Sequence, residues 1–344
     1  MDTINKKIIQ AVIDKANMVC PDSLALIGIY GSVATADDHK KSDLDLLILI
    51  EDDAGWKLGT GFILEDRKVG YDIYCTNWAG LRYDAECHHA HLSKLMDSQI
   101  VYVKNQDAYD NLCLLRAQAK QFLASEGRFR RAKESLNNAK IAYANACLRE
   151  GLGQVRLEAC GVMSYLLDAV MLYHGTYFKR GVKRTFEELA ALPLHEVFVK
   201  TIQKAVVSKE VPELREELKQ LILYTENHIQ TENRKAEPSE ALSGTYEEMY
   251  SNWRNKVEEA GKNADAFAAF MNMASLHFML SEISEGVSIG SFPIMDEYDP
   301  VSLEDNIAII DQYLQKYEQA YMCGGIRVNR FADVDEFVAS YLCP

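Results

Sequence analysis

The chain has 344 residues, 48% apolar and 26% charged, with 37 Lys plus Arg against 51 Asp plus Glu and a formal net charge of −14. This is the composition of a globular protein, and the length predicts two or three domains, each able to bury a core of its own. Residues 1–115 hold 11 basic and 18 acidic residues and the remainder 26 and 33, so each part is −7. Neither offers the basic face that gripping nucleic acid by its phosphates requires.

In chain order, residues 3–19 place Ile4, Ile8, Ile9, Val12, Ile13 and Ala16 on one helical face. Leu24 to Tyr30 (LALIGIY) and Leu44 to Ile50 (LDLLILI) read as buried strands. Lys68 to Cys75 (KVGYDIYC) reads as a third, with Val69, Tyr71 and Ile73 alternating against Gly70, Asp72 and Tyr74. A short helix over 85–96 and a last strand over Gln99 to Lys104 follow. From Asp107 the apolar spacing turns helical, with helices predicted over 107–125, 127–150, 153–174, 194–207, 210–232, 245–260, 263–284, 302–321 and 332–341. Residues 231–244 and 288–300 read as exposed connections. The expected fold class is α+β: a small mixed-sheet domain over 1–106, then a larger α-helical domain over 107–344 with a subdivision near 231–244.

The first twenty residues lack the apolar core of a signal peptide, and no run approaches the ~18–20 apolar residues of a membrane span. The eight cysteines are scattered without a Cys-x-x-Cys pair. A cytoplasmic protein without a membrane partner is expected.

One segment carries chemistry: ALIGIYGSVATADDHKKSDLDLLILI, residues 25–50. A buried strand runs into Gly31-Ser32, then ten residues intervene before Asp43, Leu44 and Asp45. Glycine lets the backbone approach a phosphate closely, while the serine hydroxyl and the turn amides can donate to its oxygens. Asp43 and Asp45 lie two apart on a strand, so both carboxylates project from one face. Held that close they need a cation, and oxygen ligands of this kind suit Mg²⁺ shared with substrate phosphates. Asp72 breaks an apolar strand on its opposite face. If that strand pairs beside Asp43-Leu44-Asp45, three carboxylates converge as in-line nucleotidyl transfer needs.

Gly31-Ser32, the ten-residue gap, Ser42-Asp43-Leu44-Asp45 and the later Asp72 resemble the signature of the DNA polymerase β-type nucleotidyltransferase superfamily. With a helical part behind it, the chain looks most like the small-molecule antibiotic nucleotidyltransferases of the kanamycin nucleotidyltransferase kind. The resemblance implies transfer of a nucleoside monophosphate, usually AMP from ATP, onto a hydroxyl of a small-molecule acceptor, a reaction that serves antibiotic resistance. It implies that Gly31 and Ser32 hold the nucleotide phosphates, that Asp43 and Asp45 bind Mg²⁺, and that Asp72 is the third carboxylate. A homodimer is open to such a chain. Where many relatives carry an arginine soon after the turn, Val33-Ala34-Thr35-Ala36 follows here, leaving Lys40 and Lys41 as the nearest cations in sequence.

The general base remains open between Asp72, Glu158 on the apolar stripe of helix 153–174, and Glu134 on helix 127–150, with Lys140 as a phosphate ligand. GRFRRAK (127–133) and KRGVKR (179–184) are basic clusters that could meet phosphates, or a helix start and a loop. Cys87 and His91, if helical, would share a face as zinc ligands do, although Leu92, Leu95 and Met96 continue an ordinary packing face. Two other readings stay in view: a protein nucleotidyltransferase or antitoxin-like member of the same fold, and a non-catalytic nucleotide-binding interaction protein.

Overall fold

The computed structural model describes residues 3–37, 42–194, 196–229 and 242–342. The chain divides into two compact units, Met1–Thr231 and Glu232–Pro344. In the first, helix α1 (Thr3–Val19) leads into strand β1 (Leu24–Ile29), a single helical turn α2 (Gly31–Ala34) and strand β2 (Leu46–Ile50). A 3₁₀ turn over Asp53–Leu58 is followed by β3 (Thr60–Leu64), β4 (Val69–Ile73), β5 (Cys75–Asn77), α3 (Trp78–Ala85), α4 (Ser93–Met96) and β6 (Gln99–Val103).

The main sheet has the order β5-β2-β1-β6. β1 runs antiparallel to β2 and β6, and β2 runs parallel to β5, so the sheet is mixed. LALIGI and LLILI are continuous apolar runs because both faces of the sheet are covered. Leu26, Leu47 and Leu49 face the helical layer, whereas Leu24, Ile27, Ile29, Leu46, Ile48 and Ile50 face α1 and the β3–β4 hairpin. Each such fully buried side chain contributes about 1.5–3 kcal/mol. The helical layer comprises α5 (Gln106–Ala124), α6 (Gly127–Leu148), α7 (Leu152–Tyr173), α8 (Thr185–Leu189), α9 (Glu196–Val207) and α10 (Val211–His228). The class is α+β, as the patterning predicts.

Three local expectations need correction. The predicted strand over 68–75 is two strands. β4 pairs only with β3, a strand the apolar pattern does not announce, and the chain then steps sideways so that β5 pairs with β2. The predicted helix over 85–96 is also two pieces, because Asn77 caps α3 by accepting from the Gly80 N–H at 3.0 Å and so starts it at Trp78, before the predicted 85. Residues 86–92 form a loop in which Cys87 takes a φ of 52° and is buried. Cys87 and His91 therefore share no helical face, and the zinc reading loses its geometry.

The second unit is helical. A core of Tyr246, Met249, Met273, Leu276, Leu280, Tyr317 and Tyr321 gathers helices Thr245–Met249, Asn255–Lys262, Ala266–Gly286 and Asn306–Cys323. The single helix predicted over 245–260 is interrupted by a π turn at Tyr250–Arg254. Among the described residues, Ala266–Gly286 alone has the length and apolar composition of a membrane span. Its Ala269, Met273, Leu276 and Leu280 are buried, as in the core helix of a globular unit.

Candidate active site

The site starts from the exit of β1. The ladder between β1 and β2 extends one residue further, with the Tyr30 N–H donating to the Asp45 carbonyl at 3.1 Å. This carries Asp45 directly against the turn. Gly31 has φ +68°, and a Cβ placed there would lie 1.9 Å from Asp45 Oδ2. Only glycine satisfies both the left-handed backbone and this approach. The Ser32 backbone N–H donates to the Asp45 carboxylate. Asp43 and Asp45 precede β2 rather than lying inside it, yet the alternation holds: Asp43 is exposed, Leu44 buried and Asp45 half-buried.

The charges nearest Tyr30 and Asp45 are acidic. Burial raises the pKa of Asp45, Asp43 raises it further, and the Ser32 N–H opposes both. The Tyr30 phenol is pushed up to about 12 by burial and by Asp45, Asp43, Asp84 and Asp72. The Tyr30 phenol thus sits in the combined field of Asp43, Asp45, Asp72 and Asp84. Asp72 arrives there by an unexpected route, since its strand pairs with β3 and not with the Asp43–Asp45 segment. Asp72 and Asp43 line one cleft of about 620 Å³ with Gly61, Phe62, Ile63, Gly70 and Tyr71.

Among the described residues, no group of three or more His, Cys, Asp or Glu side chains is arranged to hold a metal ion. Asp43 and Asp45 form the closer pair, with Asp72 across the cleft. Mg²⁺ commonly takes one or two carboxylates and completes its shell with water and substrate phosphate. Half-buried Asp45 beside Asp43, with no cation paired to it among the described residues, fits that ion.

Other sequence candidates lie elsewhere. Glu158 pairs with Arg149 at 3.2 Å, Glu134 with Arg131 at 2.7 Å and Lys140 with Glu226 at 2.5 Å, and none lines the Asp43–Asp72 cleft. In GRFRRAK, Arg128 donates to the Tyr173 and Leu123 carbonyls and Arg131 to Glu134, so these two cations are engaged locally. Lys40 and Lys41 lie outside the described residues. The KRGVKR loop does reach the turn. Arg184 donates to both oxygens of Asp37 at 2.6 and 3.0 Å, and Lys183 donates to the Asp37 carbonyl at 2.8 Å. The Asp37 N–H in turn donates to the Ser32 carbonyl at 2.9 Å. These cations hold the Asp37 carboxyl well below the usual carboxylate range. Asp37 and Tyr30 carry no signature in the sequence; a partner 147 positions away becomes visible only in the fold.

Nor do the described histidines form a metal face. His89 Nε2 lies 3.3 Å from Asp84 while its Nδ1 accepts from the His91 N–H at 3.2 Å, which fixes the tautomer. His88 stacks on Tyr83 with ring centroids 4.1 Å apart.

Neither a protein-family model nor a curated protein sequence matches the chain. Among solved structures the chain is similar to a nucleotidyltransferase-like protein from Exiguobacterium sibiricum 255-15, at 15% identity and a TM-score of 0.37 over 82% of this chain and 92% of that one. So remote a likeness leaves the functional argument to the residues. The class they define is an α+β protein with a mixed sheet, a helical layer and an acidic cleft beside a Gly-Ser turn.

Proposed function

We propose that this protein is a Mg²⁺-dependent nucleotidyltransferase that moves a nucleoside monophosphate, AMP from ATP, onto a hydroxyl of a small molecule of the aminoglycoside kind. The observation that carries the reading is the interlock of Gly31, Ser32 and Asp45. A turn shaped to approach phosphate is locked to a carboxylate that burial and Asp43 leave short of positive charge. Asp43 and Asp45 would hold Mg²⁺, which when bound supplies charge neutralisation at the reacting phosphoryl group. The Gly31–Ser32 turn binds the nucleotide phosphates through its backbone N–H groups and the serine hydroxyl. Asp72, facing the same cleft as Asp43, accepts the proton of the attacking hydroxyl, and pyrophosphate leaves from the α-phosphorus. Glu134 and Glu158 are weaker candidates for the base because arginines already engage them.

An acidic protein also suits a polycationic acceptor, since a net charge of −14 favours its approach. The test is pyrophosphate release with Mg²⁺ and each nucleoside triphosphate across a panel of aminoglycosides and lincosamides, wild type against Asp45→Asn. Release that depends on one acceptor and is lost in the variant supports the reading. Triphosphate binding without modification of any panel member removes the antibiotic acceptor and keeps the nucleotide. No triphosphate binding with Mg²⁺ removes the enzyme.

A further inference from the structure

Behind the hairpin that carries Asp72 lies a second cavity, with different chemistry. α1 crosses the inner face of β3 and β4 without filling the space between them, leaving about 430 Å³. That is nearly three times the ~150 Å³ that suffices for a dry apolar cavity to take up benzene. Ile8 and Val12 from α1 and Leu58, Phe62, Leu64 and Ile73 from the opposite side make the walls apolar. Strand alternation explains the division: Phe62, Leu64 and Ile73 point inward here, while Gly61, Gly70 and Asp72 occupy the other face.

Two lysines line the α1 side of this cavity. Lys7 and Lys15 also line it, on the same side of α1 as Ile8 and Val12, and neither has a carboxylate at ion-pair distance among the described residues. Lys15 lies close enough to the interior to act on the Cys75 thiol, which burial and Cys20 push up to about 11 and Lys15 pulls down. Cys75 follows Ile73, and Ile73 pairs with Thr60 at the open end of the hairpin. Asp66, the acid of the lining, belongs to the turn at the other end, beyond Leu64 and Val69. The cavity thus has an apolar body, the Lys15 ammonium at the end away from its one acid and Lys7 about two helical turns from it along α1, in a protein otherwise rich in negative charge.

We infer that this cavity binds an amphipathic monocarboxylate, an aliphatic chain lying between α1 and the hairpin with its carboxylate at Lys15. The site is separate from the proposed nucleotide cleft and does not depend on it, although Phe62 contributes to the walls of both. Calorimetric titration of the full chain with octanoate, decanoate and 1-decanol tests it. Binding should saturate at one equivalent and tighten roughly threefold to fourfold per added methylene. Decanoate should bind about threefold to fivefold more tightly than decanol, and Lys15→Gln should bring the two to parity. Ile8→Trp, which takes up part of the cavity, should weaken decanoate binding. Absence of saturable binding, or decanoate affinity that both Ile8→Trp and Lys15→Gln leave unchanged, would overturn the assignment. Lys15→Gln alters a partly exposed side chain, and the chain-length series uses the unaltered protein, so the test survives if Ile8→Trp does not fold.

Discussion

Asp45 and Asp84 are both withdrawn from water within the first unit, and their surroundings push them in opposite directions. Around Asp45, burial and the neighbouring Asp43 raise the pKa, against a single backbone N–H. Around Asp84, burial is also the largest influence, but His89 at 3.3 Å and Lys94 at 3.1 Å outweigh it and the pKa falls. Among the described residues the fold supplies a hydrogen-bonding imidazole and an ammonium to one aspartate and neither to the other. A charge stabilised from within serves the architecture, here by tying the 86–92 loop to α3. A charge left short of positive partners is a place for a cation from outside.

Breaking each side of this contrast has a distinct consequence. The largest is Asp45→Asn, which should lower nucleotidyl transfer by at least about a hundredfold, the upper range for disturbing a metal-ligand shell. The same change should raise stability at neutral pH by about 1 kcal/mol, as relief of a functional compromise does. The sign follows from the raised pKa. Asp45's contribution is fully present below the ordinary 3.8 and is lost as pH rises through its folded value, so the gain in the Asn variant should vanish in acid. Thermal midpoints at pH 7 and pH 3.5 check this.

Gly31→Ala comes next, at about 2–3 kcal/mol. It combines the left-handed penalty with a contact on the Asp45 carboxylate, and a loss below 0.5 kcal/mol in urea unfolding would contradict the interlock. Asp84→Asn should cost about 2 kcal/mol, at the low end for a buried pair because His89 and Lys94 are partly exposed. Here the sign is reversed: the contribution is present above the ordinary value of 3.8 and is lost as pH falls through the lowered one. Wild type and variant should converge in acid. Asp37→Asn, which releases Lys183 and Arg184 on a solvent-facing contact, should move the thermal midpoint least of the four.

How much of this was legible in the sequence follows from what each feature depends on. β1 and β2 are plain in LALIGI and LLILI because burial on both faces leaves no polar residue to interrupt them. β3 is hidden because TGFIL is a two-stranded hairpin's short, largely exposed partner. Gly31-Ser32 and Asp43-Leu44-Asp45 are readable as types and spacing, but the 1.9 Å approach that makes the glycine obligatory depends on the strand pairing. Asp72 shares a cleft with Asp43 through a sideways step at Tyr74 that alternation alone conceals. Glu158 reads as a buried acid from helical spacing, whereas Arg149 from the preceding turn reaches it. The Asp84–His89–Lys94 cluster is masked by a left-handed Cys87 inside what reads as one helix.

The central claim is that Asp45 awaits a cation brought with a nucleoside triphosphate. Titration of wild type and Asp45→Asn with a non-hydrolysable ATP analogue, with and without Mg²⁺, tests it most directly. Saturable binding should require Mg²⁺ in the wild type and weaken at least about tenfold in the variant. Binding that is indifferent to both the ion and the substitution, or no binding with Mg²⁺ present, would contradict the account.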